Sequence, residues 1–358
     1  MKKIYFYPHS YLRDRQLETI RNWSSSEVIN PGIAKNRIGN QVEKEKAISK
    51  NFYFSWKQNF PLLNIKRRPR NLDKETVVYI WGGLTLNGPF IIELDNPWSL
   101  VGYNLKAMKL YTFIIRKILL SKRCLEIKCM SQACRESLKL LFGKIVYEKS
   151  KLSYPIVKIQ IKNEKLKSKK MTKFLFVGTQ FELKGGKALL NAFSNAYKKN
   201  PNISLDIITH LPDSYSQNYK GIQFFSANYS KEEIYKKFMS SSDVLIHPTY
   251  VETFGVAVLE ALAYGLGIIS TDLYALPEMV KNGINGIVLK PPISIWDGYL
   301  PSKHYKNLSN LKSYIQNIDT KKFELELEKS ILKFANDSIF KSKAQKYSRK
   351  IFMEEFKC

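Results

Sequence analysis

The chain has 358 residues, with 58 Lys+Arg against 31 Asp+Glu and a formal net charge of +27. Hydrophobic residues make up 44%, enough for a packed core, which excludes global disorder. At about 150 residues per domain, the length predicts two domains.

The charge is uneven. Residues 1–170 carry 34 basic and 13 acidic side chains, residues 201–300 carry 6 and 10, and residues 301–358 carry 13 and 7. An excess of this size predicts an anionic partner or surface. Four cysteines do not make a disulfide framework in a chain of this length. Cys124, Cys129, Cys134 and Cys358 read as reduced thiols, and no metal site is expected. The start, MKKIYFYPHSYLRDRQ, has too short an apolar run before Pro8 for a signal-peptide core. The longest apolar stretch, residues 110–120, is broken by Arg116 and Lys117 and falls short of the roughly 18 residues of a membrane span. The expectation is a cytoplasmic protein.

In chain order, residues 3–7, 77–81, 89–94 and 125–130 read as strands. Residues 11–23, 100–122 and 132–142 read as helices. Residues 31–76 are polar, basic and Pro-bearing and suggest no regular organisation. Residues 161–173, almost wholly charged or polar, read as a linker. The second half alternates more clearly. Strands are expected at 173–178, 203–209, 222–225, 244–247, 268–271 and 286–289. Helices are expected at 186–198, 231–240, 256–264 and 276–281. This rhythm predicts a parallel, doubly wound α/β sheet.

In such sheets, ligands bind beyond the carboxyl ends of the strands. After the strand ending at Gly178 comes TQFELKGG, so Lys184 stands beside a glycine-bearing turn that opens a helix. Backbone N–H groups at a helix start, with one lysine, suit a phosphate. After the strand ending at His247 comes PTYVETFGVAVLEALAYG. Glu252 precedes a helix start at Thr253-Phe254-Gly255. Glu260 lies inside the otherwise apolar helix that follows, where an ionised carboxylate needs partners. Each feature alone also has a plainer reading: a solvated lysine, a capping Glu252 and a surface Glu260.

Taken together and in order, these segments resemble retaining glycosyltransferases of the group 1 (family 4) type. ETFGVAVLE is similar to that family's Glu-x7-Glu motif. FVGTQFELKGGKALLNAF looks like its first C-domain strand, phosphate loop and helix. ISTDLYALPEMVKNGINGIVL resembles its downstream segment.

The resemblance implies a GT-B fold of two Rossmann-like doubly wound domains facing a cleft, with a C-terminal helix crossing back to the N-domain. The implied domains are 1–165 on the acceptor side, 166–335 binding the nucleotide sugar, and 336–358 as the crossing helix. It further implies that Lys184 contacts the diphosphate and that Gly178 admits backbone to those phosphates. Glu252, the catalytic residue, would hold donor-sugar hydroxyls. Amides of Phe254, Gly255 and Val256 would bind sugar or diphosphate, and Glu260 the ribose.

The implied reaction is retaining and metal-independent, with a nucleotide sugar as substrate and no cofactor. The implied acceptor is a glycan or lipid-linked molecule in surface polysaccharide or lipopolysaccharide synthesis. Base recognition falls to the loops after Thr209 and Phe225. The chain departs from the family pattern where a second basic residue is common. Thr179 and Leu183 stand there, with Lys187 one turn on. Asp95 stands where a histidine is common, and the first-strand loop lacks a Gly-Gly, for which Pro31-Gly32 or Gly82-Gly83 could substitute. Alternatives are a non-catalytic GT-B subunit that binds nucleotide sugar, and a basic nucleic-acid-binding protein.

Projected at about 100° per residue, helix 100–123 places Lys106, Lys109, Arg116, Lys117 and Arg123 in one arc. Leu110, Phe113 and Leu120 sit among them, while Met108, Tyr111, Ile114, Ile115, Ile118 and Leu119 fall opposite. A basic face studded with apolar side chains fits a lipid–water interface, and Lys66-Arg67-Arg68-Pro69-Arg70 could join it. The expectation is peripheral binding to an anionic inner leaflet, with no specific nucleic-acid partner. With the C-terminal helix on the N-domain, the basic excess of both chain ends would fall on one lobe.

Overall fold

The computed structural model describes residues 2–7, 12–34, 60–157, 171–215, 218–302 and 308–357. The chain forms two compact units, Met1–Ile156 with Gly298–Asn310, and Val157–Asp297 with Leu311–Cys358. The expected boundary at 165/166 and most of the expected linker lie outside the described residues.

In the first unit, strands β1 Lys3–Phe6, β2 Glu27–Val28, β3 Val77–Trp81, β4 Phe90–Leu94, β5 Cys124–Cys129 and β6 Ser150–Leu152 form one sheet. Its order is β2-β1-β3-β4-β5-β6, and every pairing is parallel. All five residues of β3 are buried, as expected of a central parallel strand covered on both faces. Helix α1, Asp14–Arg21, buries Gln16, Leu17 and Ile20. Helix α2, Leu105–Leu120, starts later than the hydrophobic pattern suggests. Residues Pro97–Val101 form a separate 3₁₀ turn, and the Asn104 side chain then caps α2 by accepting from the Ala107 amide at 2.9 Å. Helices α3, Gln132–Phe142, and α4, Lys144–Lys149, follow β5. Cys124, Cys129 and Cys134 are buried and form no disulfide among the described residues.

In the second unit, strands β7 Thr172–Gln180, β8 Ile203–His210, β9 Ile222–Ser226, β10 Val244–His247, β11 Gly267–Thr271 and β12 Gly286–Leu289 form an all-parallel sheet. Its order is β12-β11-β10-β7-β8-β9. The chain lays down β7 to β9 in one direction, then returns to lay down β10 to β12 in the other. The strand order therefore reverses between β7 and β10, which is where such sheets open a ligand crevice. Helix α5, Gly186–Lys199, covers β7 with Ala188, Leu189, Ala192, Phe193 and Ala196. The connection to β10 is a short α6, Lys231–Glu233, that widens into a π turn over Ile234–Phe238. Helices α7, Val256–Ala263, and α8, Leu276–Met279, follow β10 and β11.

The C-terminal helices correct one expectation. Helix α9, Lys321–Asn336, packs on α5, and α10, Ser338–Ile351, packs on α7 and β11, all within the second unit. Polar groups at the start of its strands hold α10 there. Lys341 Nζ donates to Thr172 Oγ1 at 2.8 Å, and Gln345 Nε2 donates to the Asp243 carbonyl at 3.0 Å. Gly267 lacks a Cβ where one would lie 2.5 Å from the Phe334 ring, so α9 seats closely. The segment that joins the first unit is Gly298–Asn310, where the Ser137 hydroxyl donates to the Tyr299 carbonyl at 2.6 Å. The basic excess of residues 311–358 thus belongs to the second unit.

Candidate active site

Strands β7 and β10 end side by side at the reversal of strand order, and the loops that leave them touch. After β7 the chain turns through Phe181–Gly185, with the Gly185 amide donating to Glu182 O at 3.0 Å. Gly185 has φ +76°, and a Cβ there would lie 2.0 Å from the Pro248 carbonyl oxygen. Only glycine allows this approach. It delivers Lys184 Nζ to 2.8 Å from Glu252 Oε2 and 2.9 Å from the Val251 carbonyl. Gly178 also has a steric role beside Lys184. A Cβ at Gly178 would come 3.2 Å from Lys184 Cγ, so the missing side chain makes room for the lysine stem.

Glu252 is held from several sides. Its Oε2 meets Lys184 Nζ and His247 Nε2, each at 2.8 Å, and its Oε1 accepts from the Thr253 amide at 3.1 Å. Its backbone carbonyl accepts from Trp296 Nε1 at 2.7 Å, and Trp296 stacks on Tyr274. Burial pushes the Glu252 carboxyl up. The Lys184 charge and the hydrogen bonds from His247 and Lys184 outweigh it, and the group sits well below the usual carboxylate range. His247 is 2% exposed. Burial pushes its imidazole below the ordinary histidine value, despite the opposing pull of Glu252. A neutral ring facing a carboxylate must donate from Nε2, which leaves Nδ1 as an acceptor. That Nδ1 is buried and has no partner among the described residues.

Helix α7 begins beside this cluster. Gly255 caps it with φ +90°, and a Cβ there would meet Leu276 Cδ2 at 2.5 Å. Phe254 is buried, which anchors the turn. At Gly255 and Val256, amides at the helix start have no intrahelical acceptor, so partial positive charge gathers there.

Glu260 is buried on α7 and already has partners. Tyr235 OH donates to its Oε1 at 2.9 Å, and Lys231 Nζ approaches the same oxygen at 2.7 Å. Lys231 and Tyr235 stand four residues apart where α6 widens into the π turn, a distortion frequent at functional sites. The structure thus joins Lys184 to Glu252, and Glu260 to Lys231 and Tyr235. Sequence reasoning missed His247, Lys231, Tyr235 and Trp296. Only His247 carried a local signal, as the polar end of an apolar strand directly before proline. Of the residues at the departure positions, Leu183 is buried, Thr179 and Lys187 are exposed, and none reaches Glu252.

The basic helix face is smaller than projected. Arg116 Nε donates to the Phe142 carbonyl at 2.9 Å, and the Arg123 guanidinium donates to the Leu86 carbonyl. Lys106, Lys109, Lys117 and Arg123 are exposed, together with Leu110, Phe113 and Ile114, whereas Arg116 is half-buried. Ile114 was expected on the packed side. No helix among the described residues is long and apolar enough to cross a membrane.

Residues 157–297 match the family model described as glycosyl transferases group 1. An uncharacterized 41.2 kDa protein in the cps region of Klebsiella pneumoniae is 26% identical over 193 residues, covering 51% of each chain. The lipopolysaccharide glucosyltransferase WaaG of Escherichia coli K12 is 30% identical over 73 residues, covering 20% of this chain and 18% of that one. The alignments therefore span about half or less of these curated relatives. Among solved structures, Anabaena HepE in complex with UDP and glucose superposes with a TM-score of 0.53 at 12% identity, covering 99% of each chain. That likeness shows the fold, GT-B, with two Rossmann-like units. The group 1 resemblance seen around Lys184, Glu252 and Glu260 is met by the family match over the same segment.

Proposed function

We propose that this chain, whose residues 157–297 carry the group 1 glycosyl transferase module, is a retaining glycosyltransferase. It moves a sugar from a nucleotide diphosphate to a glycan or lipid-linked acceptor in surface polysaccharide or lipopolysaccharide synthesis. The observation that carries this reading is the pairing of Lys184 with Glu252 at the reversal of strand order, beside the start of α7. A cation, a carboxylate and the backbone amides of a helix start within one crevice suit a sugar diphosphate better than a neutral ligand. The cps-region and WaaG relatives support the choice of pathway class.

In this reading Lys184 and the amides of Phe254, Gly255 and Val256 at the start of α7 neutralise the diphosphate, with no metal required. Glu252 accepts from donor-sugar hydroxyls. Glu260, steadied by Lys231 and Tyr235, accepts from the ribose through its other oxygen. The C1–O bond to the diphosphate breaks as the acceptor oxygen bonds to C1 on the same face. The acceptor proton passes to the departing phosphate oxygen, so no protein nucleophile is needed. The exposed Lys106, Lys109 and Lys117 around Leu110, Phe113 and Ile114 bring the protein to an anionic inner leaflet, where a lipid-linked acceptor resides.

The test is incubation with a panel of UDP-, GDP- and dTDP-sugars, with and without a metal chelator, reading released nucleotide and the anomeric form of the product. Turnover of one donor with retained configuration, unaffected by chelator, is expected. Donor binding without any turnover would point instead to a non-catalytic subunit.

A further inference from the structure

A polar cavity of about 250 Å³ lies wholly within the first unit, between α1, the strand faces beneath it and the segment that follows β6. Its floor comes from three neighbouring strands. Trp81 pairs with Glu93, and Glu93 with Lys128, so Tyr79, Glu93 and Lys128 share one sheet face. The Glu93 carboxylate is spent. Tyr79 OH donates to Oε2 at 2.6 Å, and the Arg15 guanidinium holds Oε1.

Lys128 is placed differently. It stands across the strand pair from Glu93 yet forms no ion pair among the described residues. Its Nζ sits 5.0 Å over the Trp23 ring. The nearest acidic neighbour on its own strand, Glu126, is engaged by Lys151 at 3.6 Å. Trp23 is wedged edge-on against Phe6 and Tyr79, and its Nε1 is buried with no acceptor among the described residues. The cavity wall therefore holds an ammonium that rests on an indole ring and has no carboxylate partner among the described residues. The hydroxyls of Ser24 and Ser153 also line the cavity.

An ammonium without a carboxylate partner, one net positive charge and surrounding Ser and Thr side chains define the complementary ligand. We propose that this cavity binds a compact oxyanion flanked by hydroxyls, the carboxylate or phosphate of an acidic sugar, with Lys128 as the charged contact. Its use as part of the acceptor site rests on the glycosyltransferase reading, whereas the binding itself does not.

The experiment is calorimetric titration of the full chain at about 0.15 M salt, where loose attraction to a basic protein is largely screened. The probes are sodium glucuronate, inorganic phosphate and neutral glucose. They are titrated into wild type, Lys128→Ala, Lys128→Arg and, as a control for the second unit, Lys184→Ala. The expected result is saturable binding of glucuronate or phosphate, but not glucose. Binding should weaken at least tenfold in Lys128→Ala, recover in part in Lys128→Arg, and persist in Lys184→Ala. Preference for glucuronate would assign a sugar carboxylate, and preference for phosphate a sugar phosphate. No binding by either anion, binding unchanged in Lys128→Ala, or binding lost only in Lys184→Ala would each overturn the proposal. Unchanged thermal unfolding of Lys128→Ala shows that any loss is local. A donor panel without turnover would leave this binding result standing.

Discussion

Lys184 Nζ lies 2.8 Å from Glu252 Oε2, so the cation suited to a diphosphate and the carboxylate suited to sugar hydroxyls hold one another. The pair bridges the turn after β7 and the loop after β10. Each side chain is thereby pre-oriented by the other, and in the proposed reading a sugar donor would share a contact that already exists.

The first prediction concerns stability. Glu252→Gln leaves Lys184 and His247 facing a neutral amide, which removes charge-assisted hydrogen bonds and should cost about 2 kcal/mol at pH 7. The pKa of Glu252 is depressed in the folded chain. Its contribution is therefore fully present above the unfolded glutamate value of about 4.3 and is lost as pH falls below it toward the folded value. Urea unfolding of both proteins at pH 7 and pH 3.5 should show the gap narrowing at the lower pH. A gap independent of pH would mean that the carboxylate charge contributes nothing.

His247 gives a second pH signature in a different window. Its folded pKa is lowered by burial, so the unfolded chain binds the proton more readily. Stability from keeping His247 neutral is present above an unfolded value of about 6.5 and declines as pH falls below it. Between pH 7.5 and 5.5 the wild type should lose stability, and His247→Gln, which keeps a donor toward Glu252, should lose less. Parallel curves for the two proteins would contradict the neutral-histidine assignment.

Two glycines separate conformational from steric roles. Gly185→Ala places a side chain at φ +76° and 2.0 Å from Pro248 O, both against rigid backbone. It should destabilise the second unit by roughly 3 kcal/mol or abolish folding. Gly178→Ala meets only the flexible Lys184 stem at 3.2 Å. It should cost under about 1 kcal/mol and act mainly by displacing Lys184, weakening nucleotide binding several-fold. Thermal unfolding and calorimetry on the two variants check both statements.

Local pattern carried much of the second unit. Strands β7 to β12 are short apolar runs bounded by glycine, proline or polar turns, and each was legible at close to its observed bounds. Gly178, Lys184, Glu252 and Glu260 stood out because they lie at strand ends and on one apolar helix, and the family resemblance singled them out as site candidates. Their partners did not stand out. Lys231 and Tyr235 reach Glu260 from the connection between β9 and β10, and Trp296 reaches Glu252 from a segment 44 residues away. No spacing rule links such segments. The placement of α10 was misjudged for the same reason, since Lys341 and Gln345 find their partners 169 and 102 residues distant. Helix projection gave the right axis for α2 but not the reach of Arg116, which bends back to the Phe142 carbonyl, nor the helix end at Leu120, which leaves Arg123 beyond the helix with its guanidinium on the Leu86 carbonyl.

The exposed face of α2 yields a membrane prediction. Leu110 and Phe113 are each 63% exposed beside Lys106, Lys109 and Lys117. The double variant Leu110→Ser/Phe113→Ser keeps the charge and removes the apolar insertion. Flotation with anionic vesicles at low salt should recover the wild type and several-fold less of the variant, with little of either on neutral vesicles. Equal recovery of wild type on neutral and anionic vesicles would contradict the assignment.

The central claim is that the crevice between β7 and β10 binds a nucleotide diphosphate. Calorimetric titration of UDP, GDP and dTDP into wild type, Lys184→Ala and Glu260→Ala tests it most directly. One of the three nucleotides should bind the wild type, and each substitution should weaken that binding at least tenfold, with the folded state retained by circular dichroism. Affinity unchanged in both variants would contradict the donor site.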